Sequence, residues 1–132
     1  MKGRNLERIH SPQAPPPIGP YSQAVATEQL VFCSGQIPID SATGKLVGGD
    51  VTAQAARALD NLAAVLAADG LGFGDVVKTT LFLVDMGDFG AVNAVYADRL
   101  GDAAPARSTV AVAALPLGAR VEIDAIALRR SH

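Results

Sequence analysis

The sequence contains few of the residues that would cross-link the chain or fill it with large rings. It has one cysteine, Cys33, in 132 residues, and it has no tryptophan. A single thiol excludes a disulfide within the chain and favours a reducing compartment. Aromatic residues make up only 5% of the sequence, so the core must be built from Val, Leu, Ile and Ala.

Long hydrophobic runs are also missing. The first eleven residues, MKGRNLERIHS, contain no apolar segment of signal-peptide length. No other run approaches the ~20 apolar residues that cross a membrane. We therefore predict a cytoplasmic protein with no membrane partner. The length fits one domain, residues 1–132, of which residues 1–5 are expected to be flexible.

Charge and motifs exclude several classes of function. The net charge is -2 and no Lys/Arg-rich run occurs, so we predict no nucleic-acid partner. Neither a GxxxxGK[ST] loop nor a GxGxxG loop is present. No Cys/His spacing in the sequence indicates a metal site. His10 and His132 lie near opposite ends of the chain, which argues against a Ser-His-Asp triad.

What the sequence does contain is a series of short strand patterns. Six segments rich in β-branched or alternating apolar residues predict strands: Leu6–Ser11, Ser22–Ala26, Leu30–Ser34, Val76–Asp85, Ser108–Leu115 and Arg120–Arg130. Between the first two lies PQAPPPIGPY, residues 12–21. Proline fixes φ and lacks an N–H, so this stretch predicts a rigid loop that could form the wall of a site.

Two segments have helical periodicity. Asp50–Asp69 places leucines and alanines at helical spacing and leaves a polar face that includes Gln54, Arg57 and Asn61. Asp88–Gly101 is bounded by a capping aspartate and a glycine. The order of elements predicts an α+β fold, in which a mixed β-sheet carries two helices on one face.

The last predicted strand indicates a second covering layer. One set of alternate residues is wholly apolar: Val121, Ile123, Ala125 and Ala127. The other set mixes carboxylates with large apolar residues: Glu122, Asp124, Ile126 and Leu128. Two helices on one side cannot cover both faces. We therefore expect a homo-oligomer whose sheets pack inward.

Six blocks of the sequence carry a family resemblance. They are IGPYSQA, SGQIPID, VVKTTLFLVDMGDF, VNAVY, PARSTV and VEIDAIA. In this order they resemble the Rid/YjgF superfamily from about Ile9 to Arg130. The resemblance implies a chorismate-mutase-like fold and a homotrimer with sites between subunits. It also implies hydrolysis of 2-imino acids, such as 2-iminopropanoate and 2-iminobutanoate, to 2-oxo acids and ammonia, with neither metal nor organic cofactor. Such imines derive from enamines such as 2-aminoacrylate.

The resemblance assigns catalytic roles to three residues. Arg107, in PARS, matches the arginine that binds the substrate carboxylate, for which a planar guanidinium offers two parallel hydrogen bonds. Glu122 matches the glutamate that holds or activates the attacking water. Tyr21 matches a tyrosine that closes the pocket. The competing interpretations are a surface or salt-bridged Arg107, a Glu122 paired with Arg107 or Arg120, and a Tyr21 that only anchors the proline-rich loop.

Four further residues are implied to bind substrate or support the site. Ser34 would contribute a hydroxyl or backbone group, although it could also be a strand-end cap. Gly35 would let the chain approach the ligand closely. Asn93 would support the site from the second helix, and the competing interpretation is an ordinary polar helix residue. At Thr109 many relatives carry cysteine, so a thiol nucleophile is excluded there, while its backbone can still donate a hydrogen bond.

Two alternative functions stay open at this point. One is a non-catalytic trimeric member that binds small carboxylates or other proteins. The other is a deaminase specific to one pathway, such as the removal of aminoacrylate. Cys33, which precedes Ser34, is expected to be a buried small apolar residue and not a reactive thiol.

Overall fold

Residues 5–130 are described by a computed structural model, in which six strands form one sheet. The strands are β1 (Glu7–Ile9), β2 (Ala24–Ala26), β3 (Leu30–Gln36), β4 (Val76–Leu83), β5 (Ala106–Ala111) and β6 (Val121–Leu128). Their order across the sheet is β1-β2-β3-β6-β4-β5. The helices are α1 (Val51–Ala67) and α2 (Phe89–Leu100).

The sheet is mixed because of the way the helices connect its strands. β4 and β5 are parallel, and α2 links them. All other neighbouring pairs are antiparallel, including both pairs that β6 forms, with β3 and with β4. The predicted α+β fold, with a mixed sheet and two helices on one face, is therefore confirmed.

The longer helix, α1, forms the centre of the core. Its leucines at positions 59, 62 and 66 are fully buried against the sheet. Asp50 caps its first turn, since the carboxylate accepts a hydrogen bond from the Ala53 N–H at 3.0 Å. The chain leaves the helix through Gly70, whose φ of +74° favours glycine. Burial of this apolar face against the sheet fixes where both helices lie.

The start of α2 differs from the expected cap. Asp88 occupies the N-cap position but its side chain makes no capping hydrogen bond. Both of its oxygens instead accept from Arg120 Nη2, at 2.9 and 3.0 Å. Asp85 caps the preceding turn by accepting from the Gly87 N–H at 2.8 Å. The aspartate at this helix start therefore ties α2 to the start of β6.

Two sequence predictions are wrong in detail. The polar face assigned to the first helix is partly buried, with Gln54 6% exposed and Asn61 1% exposed, because both amides bond to the backbone of neighbouring segments. The strand predicted at Ser108–Leu115 begins two residues earlier and ends at Ala111. Arg107 therefore lies within β5, opposite Thr79 of β4, and not before the strand.

The two faces of the sheet differ as the pattern of the last strand predicted. Val121, Ile123, Ala125 and Ala127 are buried against the helices. On the opposite face Glu122, Asp124 and Ile126 are half-buried and Leu128 is exposed. No helix of residues 5–130 covers this open face, where the large side chains of Phe32 and Val110 are also exposed.

The N-terminal prediction falls mainly outside the described residues. Flexibility was expected for residues 1–5, and residues 1–4 are not described. Asn5 is described, and its side-chain amide donates a hydrogen bond to the Glu28 carboxylate. Neither helix within residues 5–130 has the length and hydropathy that a membrane crossing requires.

Candidate functional site

A small pocket opens where the proline-rich loop meets the ends of β3 and β6. Its volume is about 280 Å³. The residues that line it are Pro15, Pro16, Ile18, Tyr21, Gln23, Ser34, Gly35, Gln36, Ile37, Ile39, Pro116 and Glu122. This volume lies at the lower end of ligand pockets, and the lining is largely apolar with a few polar groups. The pocket suits a small metabolite.

The proline-rich loop is held in place by a buried amide. Gln23 is 2% exposed, and its Oε1 accepts from the Ser11 N–H at 2.6 Å. Its Nε2 donates to the carbonyl of Pro15 at 2.9 Å and to that of Ser11 at 3.2 Å. Because prolines have no N–H, backbone donors are scarce in this loop, and the Gln23 amide supplies hydrogen bonds to two of its carbonyls. Gln23 therefore fixes the wall that the sequence predicted.

Tyr21 lies at the end of this loop and at the rim of the pocket. Its side chain is half exposed, and its hydroxyl accepts a hydrogen bond from the Ile18 N–H at 3.3 Å. The tyrosine thus anchors the loop, as one interpretation held, and also lines the pocket. The two predicted interpretations are compatible in this position.

Ser34 lies within β3, which continues to Gln36, so it is not at the strand end that the sequence predicted. Its hydroxyl donates to the Ser22 carbonyl at 2.6 Å, and its N–H donates to the Gln23 carbonyl at 2.9 Å. Both groups therefore already have partners within the chain. Ser34 still lines the pocket, where its hydroxyl oxygen can accept a hydrogen bond from a ligand.

Gly35 gives the Glu122 side chain its place. A Cβ at residue 35 would overlap the carboxylate, lying 2.7 Å from Glu122 Cδ. Since real side chains do not approach so closely, the glutamate can lie against β3 only because residue 35 has no side chain. The sequence predicted a close approach of the ligand at Gly35; the observed close approach is that of Glu122.

Glu122 is half-buried on the open face of β6, at the edge of the pocket. Burial raises the pKa of its carboxyl, and the neighbouring Asp124 carboxylate raises it further. Burial raises the pKa of Asp124 as well, although its Oδ1 accepts a hydrogen bond from the Thr80 N–H at 3.0 Å, which acts in the opposite direction. Neither predicted arginine pairs with Glu122. Arg120 binds Asp88 instead, and Arg107 donates to Asn93. Its raised pKa makes the Glu122 carboxylate a better proton acceptor than an ordinary glutamate.

Arg107 belongs to a second region, which we call the arginine shelf: Arg107, Asn93, Tyr96 and Phe89. Its Nη1 donates to Asn93 Oδ1 at 2.7 Å. Its guanidinium carbon lies 4.8 Å from the Tyr96 ring centroid and 5.5 Å from that of Phe89. Stacking on two rings and one amide bond hold the guanidinium in a fixed orientation.

The guanidinium of Arg107 has no carboxylate partner. Arg99, Arg120, Arg129 and Arg130 each form an ion pair with an aspartate or glutamate. No carboxylate within residues 5–130 contacts Arg107 in this way, and its side chain is exposed. A cation that is oriented by neutral groups and left unpaired is suited to bind an anion from outside the chain.

Thr109 lies two residues along β5 from Arg107 and points to the same face of the strand. Its hydroxyl oxygen is buried and has no hydrogen-bond partner within the described residues. The side chain therefore offers one unused polar group beside the arginine shelf, where the sequence predicted only a backbone donor.

The pocket and the arginine shelf lie on opposite faces of one sheet. Arg107 pairs with Thr79, whose hydroxyl contacts the Tyr96 hydroxyl at 2.7 Å on the helix-covered side. Glu122 alternates with Val121 and Ile123, which face the helices, so it points to the open side. One chain thus brings together Tyr21, Ser34, Gly35 and Glu122. It separately brings together Arg107 and Asn93, with Thr109 alongside.

Sequence reasoning missed two kinds of residue. Gln23 and the ring of Phe89 were not assigned, although each fixes a predicted site residue or its loop. A proline-rich loop needs side-chain partners for its carbonyls, and this requirement was the available signal for Gln23. No local signal marks Phe89. Cys33 is buried as predicted, and burial raises the pKa of its thiol to about 12.

The described residues show no built metal centre. Within residues 5–130, no three His, Cys, Asp or Glu side chains are grouped so that they could hold a metal ion.

Comparison with known proteins defines the class to which this fold and these residues belong. Residues 11–129 match the family model described as Endoribonuclease L-PSP. Because the match covers most of the chain, the protein belongs to this family, which is the YjgF/Rid family of the predicted resemblance.

Individual relatives carry different names. A Myxococcus xanthus protein named DfrA is 59% identical over 130 residues, which are 97% of this chain and 99% of that protein. The 2-iminobutanoate/2-iminopropanoate deaminase of Mus musculus is 49% identical over 121 residues, covering 92% of this chain and 90% of the mouse protein. The crystal structure of Escherichia coli TdcF with bound serine superposes with a TM-score of 0.88 and 42% identity, covering 94% and 99% of the two chains.

Proposed function

We propose that this protein is a deaminase that hydrolyses 2-imino acids to 2-oxo acids and ammonia. The observation that carries the proposal is the unpaired, oriented guanidinium of Arg107. Relatives named 2-iminobutanoate/2-iminopropanoate deaminase, at 49% identity in the mouse, support the same reaction. The substrates would include 2-iminopropanoate and 2-iminobutanoate, formed from enamines such as 2-aminoacrylate.

Arg107 would bind the carboxylate that every 2-imino acid carries. Asn93 uses one N–H of the guanidinium, and the remaining donors can meet two carboxylate oxygens in parallel. Because the supporting groups are neutral, they do not compete with the substrate for the positive charge. TdcF, a relative of the same fold, has a structure with bound serine, which is also a small carboxylate.

Glu122 would handle the water and the protons. As general base it takes a proton from water while the water oxygen bonds to C2 and the C=N π electrons move to nitrogen. That proton is then delivered to nitrogen, which gives a carbon bearing one OH and one NH2 group. The hydroxyl proton passes to the same nitrogen as the C–N bond breaks, so that ammonia leaves and the 2-oxo acid remains. The raised pKa of Glu122 makes the carboxylate a stronger base than an ordinary glutamate. Tyr21 would close the pocket above this centre.

The complete site would form between two copies of the chain. Within one chain Arg107 and Glu122 point to opposite faces of the sheet. A substrate that contacts both therefore needs Arg107 from one protomer and Glu122 from its neighbour. The uncovered apolar side chains on the open face supply a surface for such packing. We propose a homotrimer, which closes a ring of identical contacts and leaves no site incomplete.

A coupled assay tests the activity. A threonine dehydratase generates 2-iminobutanoate, and absorbance follows its decay with and without this protein. We expect the wild type to accelerate decay beyond spontaneous hydrolysis and Arg107→Ala to lose the acceleration. Arg8→Ala, which removes an exposed arginine on β1, is the matched control and should behave as the wild type.

The same assay separates the alternative functions. Decay that is unchanged by the wild-type protein contradicts the deaminase. Calorimetric binding of 2-oxobutanoate by that inactive protein would then indicate a carboxylate-binding member. The family description also names an endoribonuclease. Glu122 and Asp124 would repel RNA phosphates at the pocket, so we expect no cleavage of a single-stranded RNA probe.

A further inference from the structure

The apolar wall of the pocket is formed by a short segment that leaves β3. Ile37 and Ile39 line the pocket and are 8% and 7% exposed. Pro38 between them has no N–H, and beyond β3 the segment keeps one isolated antiparallel bridge, between Ile39 and Leu46. Its backbone must therefore be held by groups from elsewhere in the fold.

One buried side chain holds this segment. The Nδ2 amide of Asn61, on α1, donates to the Ile37 carbonyl at 3.1 Å and to the Ile39 carbonyl at 2.9 Å. The carbonyl between them, that of Pro38, accepts from the Val47 N–H at 2.9 Å. The Ile37 carbonyl also accepts from the Ile39 N–H at 2.8 Å. Every carbonyl of the wall segment thus has a donor, and Asn61 joins the two residues whose side chains line the pocket to the core helix.

The position of Asn61 argues against a role in local helix stability. It is 1% exposed on the buried face of α1, where Gln54 is the other polar residue and the rest are Leu, Val and Ala. An amide in such a place is costly unless both of its N–H groups are bonded. Both bonds go to one segment, more than 20 residues away in sequence. The amide therefore connects the core helix rigidly to one wall of the pocket.

We propose that Asn61 is a positioning residue that sets which imino acid side chains the pocket accepts. It would do so by fixing Ile37 and Ile39, against which the side chain of the substrate lies. This inference rests on the proposed function. Displacement of a pocket wall by about 1 Å changes turnover strongly, and one methylene alone changes binding about 10-fold or more in a fitted apolar pocket.

The test compares two substrates of different length in one enzyme preparation. kcat/KM is measured for 2-iminopropanoate and for 2-imino-4-methylpentanoate, each generated by an amino acid oxidase. The ratio of the two values does not depend on the fraction of protein that is folded, because that fraction cancels. A role in stability alone would therefore leave the ratio unchanged.

We expect the wild type to discriminate between the two imines and Asn61→Ala to move the ratio toward one by about 5-fold or more. Ile39→Val, a smaller change of the wall itself, should shift the same ratio. Asp69→Asn is the control, since Asp69 is a buried partner of Arg129 away from the pocket and should lower the melting temperature with the ratio unchanged. A wild-type ratio near one, or an unchanged ratio in Asn61→Ala, overturns the proposal.

Failure of the proposed function would be distinguishable. If the wild type hydrolyses neither imine, the dissociation constants of pyruvate and 4-methyl-2-oxopentanoate are measured by calorimetry on the same variants. A shift in their ratio for Asn61→Ala supports the wall role without catalysis, and an unchanged ratio overturns it.

Discussion

The pocket and the arginine shelf solve the problem of holding a charged group in opposite ways. In the pocket, Glu122 is half-buried, and the space for it exists because residue 35 is a glycine. On the shelf, Arg107 is exposed and is oriented by stacking and one amide. The charged form of the carboxylate is thus destabilised by burial, whereas the guanidinium is held in place by neutral groups.

This difference matches the two roles proposed for the charged groups, proton exchange by Glu122 and anion binding by Arg107. A group that exchanges protons benefits from a pKa moved toward neutrality by burial. A group that binds an anion must stay charged and leave its donors available. The two requirements conflict within one small cavity, and this chain places the two groups on opposite faces of its sheet.

The largest expected effect is that of removing the proton acceptor. Glu122→Gln should lower kcat by about 10²- to 10⁴-fold, the range that a general base contributes. The wild-type rate should also fall as pH drops through the raised pKa of Glu122, because the protonated carboxyl cannot accept a proton. Protonation of the imine changes the rates of the wild type and the variant alike. The ratio of the two rates at each pH therefore isolates the titration of Glu122.

Asp124→Asn is the control for the Glu122 prediction. It keeps an oxygen that can accept the Thr80 N–H but removes the neighbouring negative charge. We expect this variant to stay active and its acidic limb to move to lower pH. A rate for Glu122→Gln equal to that of the wild type would assign the water to another group.

The next effect tests directly whether the two regions belong to different chains. Arg107→Ala and Glu122→Gln subunits, each inactive alone, are unfolded together and refolded. Random assembly of a ring gives about one site in four with both intact groups, so activity should return to about a quarter of the wild-type value. Mixtures that stay as inactive as the separate variants would show that no site is shared between protomers.

Changing the shape of the cation should have a smaller effect. Arg107→Lys keeps the charge but loses the planar fork and the stacking, so kcat/KM should fall about 10- to 100-fold, as loss of one charged hydrogen bond predicts. Arg8→Lys is the matched control on an exposed strand. Turnover of Arg107→Lys within twofold of the wild type would contradict bidentate binding of a carboxylate.

The smallest effect concerns the amide that orients the shelf. Asn93→Ala should raise KM on the order of 5-fold, because stacking on Tyr96 still holds the guanidinium while one hydrogen bond is lost. Asn93→Asp should raise KM more, since its carboxylate would compete with the substrate for Arg107. The opposite order would mean that Asn93 contributes only to local stability.

Much of the fold follows from the sequence, but its contacts across long distances do not. Leu59, Leu62 and Leu66 recur with helical spacing, and the alternation in β6 separates its two faces correctly. The start of β5 was missed because Pro105 and Ala106 have weak strand propensity. Parallel pairing with β4, a tertiary contact, extends that strand to Ala106.

The candidate site was predictable as a set of residues and not as an arrangement. The family blocks indicate Tyr21, Ser34, Glu122 and Arg107, but their order in the chain does not reveal which face of the sheet each occupies. Asn61 looks like a solvent-facing helix residue, since a polar side chain on an amphipathic helix usually is one. Only the tertiary structure shows that its amide bonds to the Ile37 and Ile39 carbonyls, more than 20 residues away in sequence.

The missing side chain at residue 35 has one more consequence. The glutamate fills the volume that any larger residue there would occupy. A single added methyl group at residue 35 would displace the Glu122 carboxylate. Arg107, on the other face of the sheet, would still bind a carboxylate. We therefore expect Gly35→Ala to bind small 2-oxo acids in calorimetry and to lose the hydrolysis of imines in the coupled assay. In this fold one added carbon atom would then separate binding of the acid from turnover of the imine.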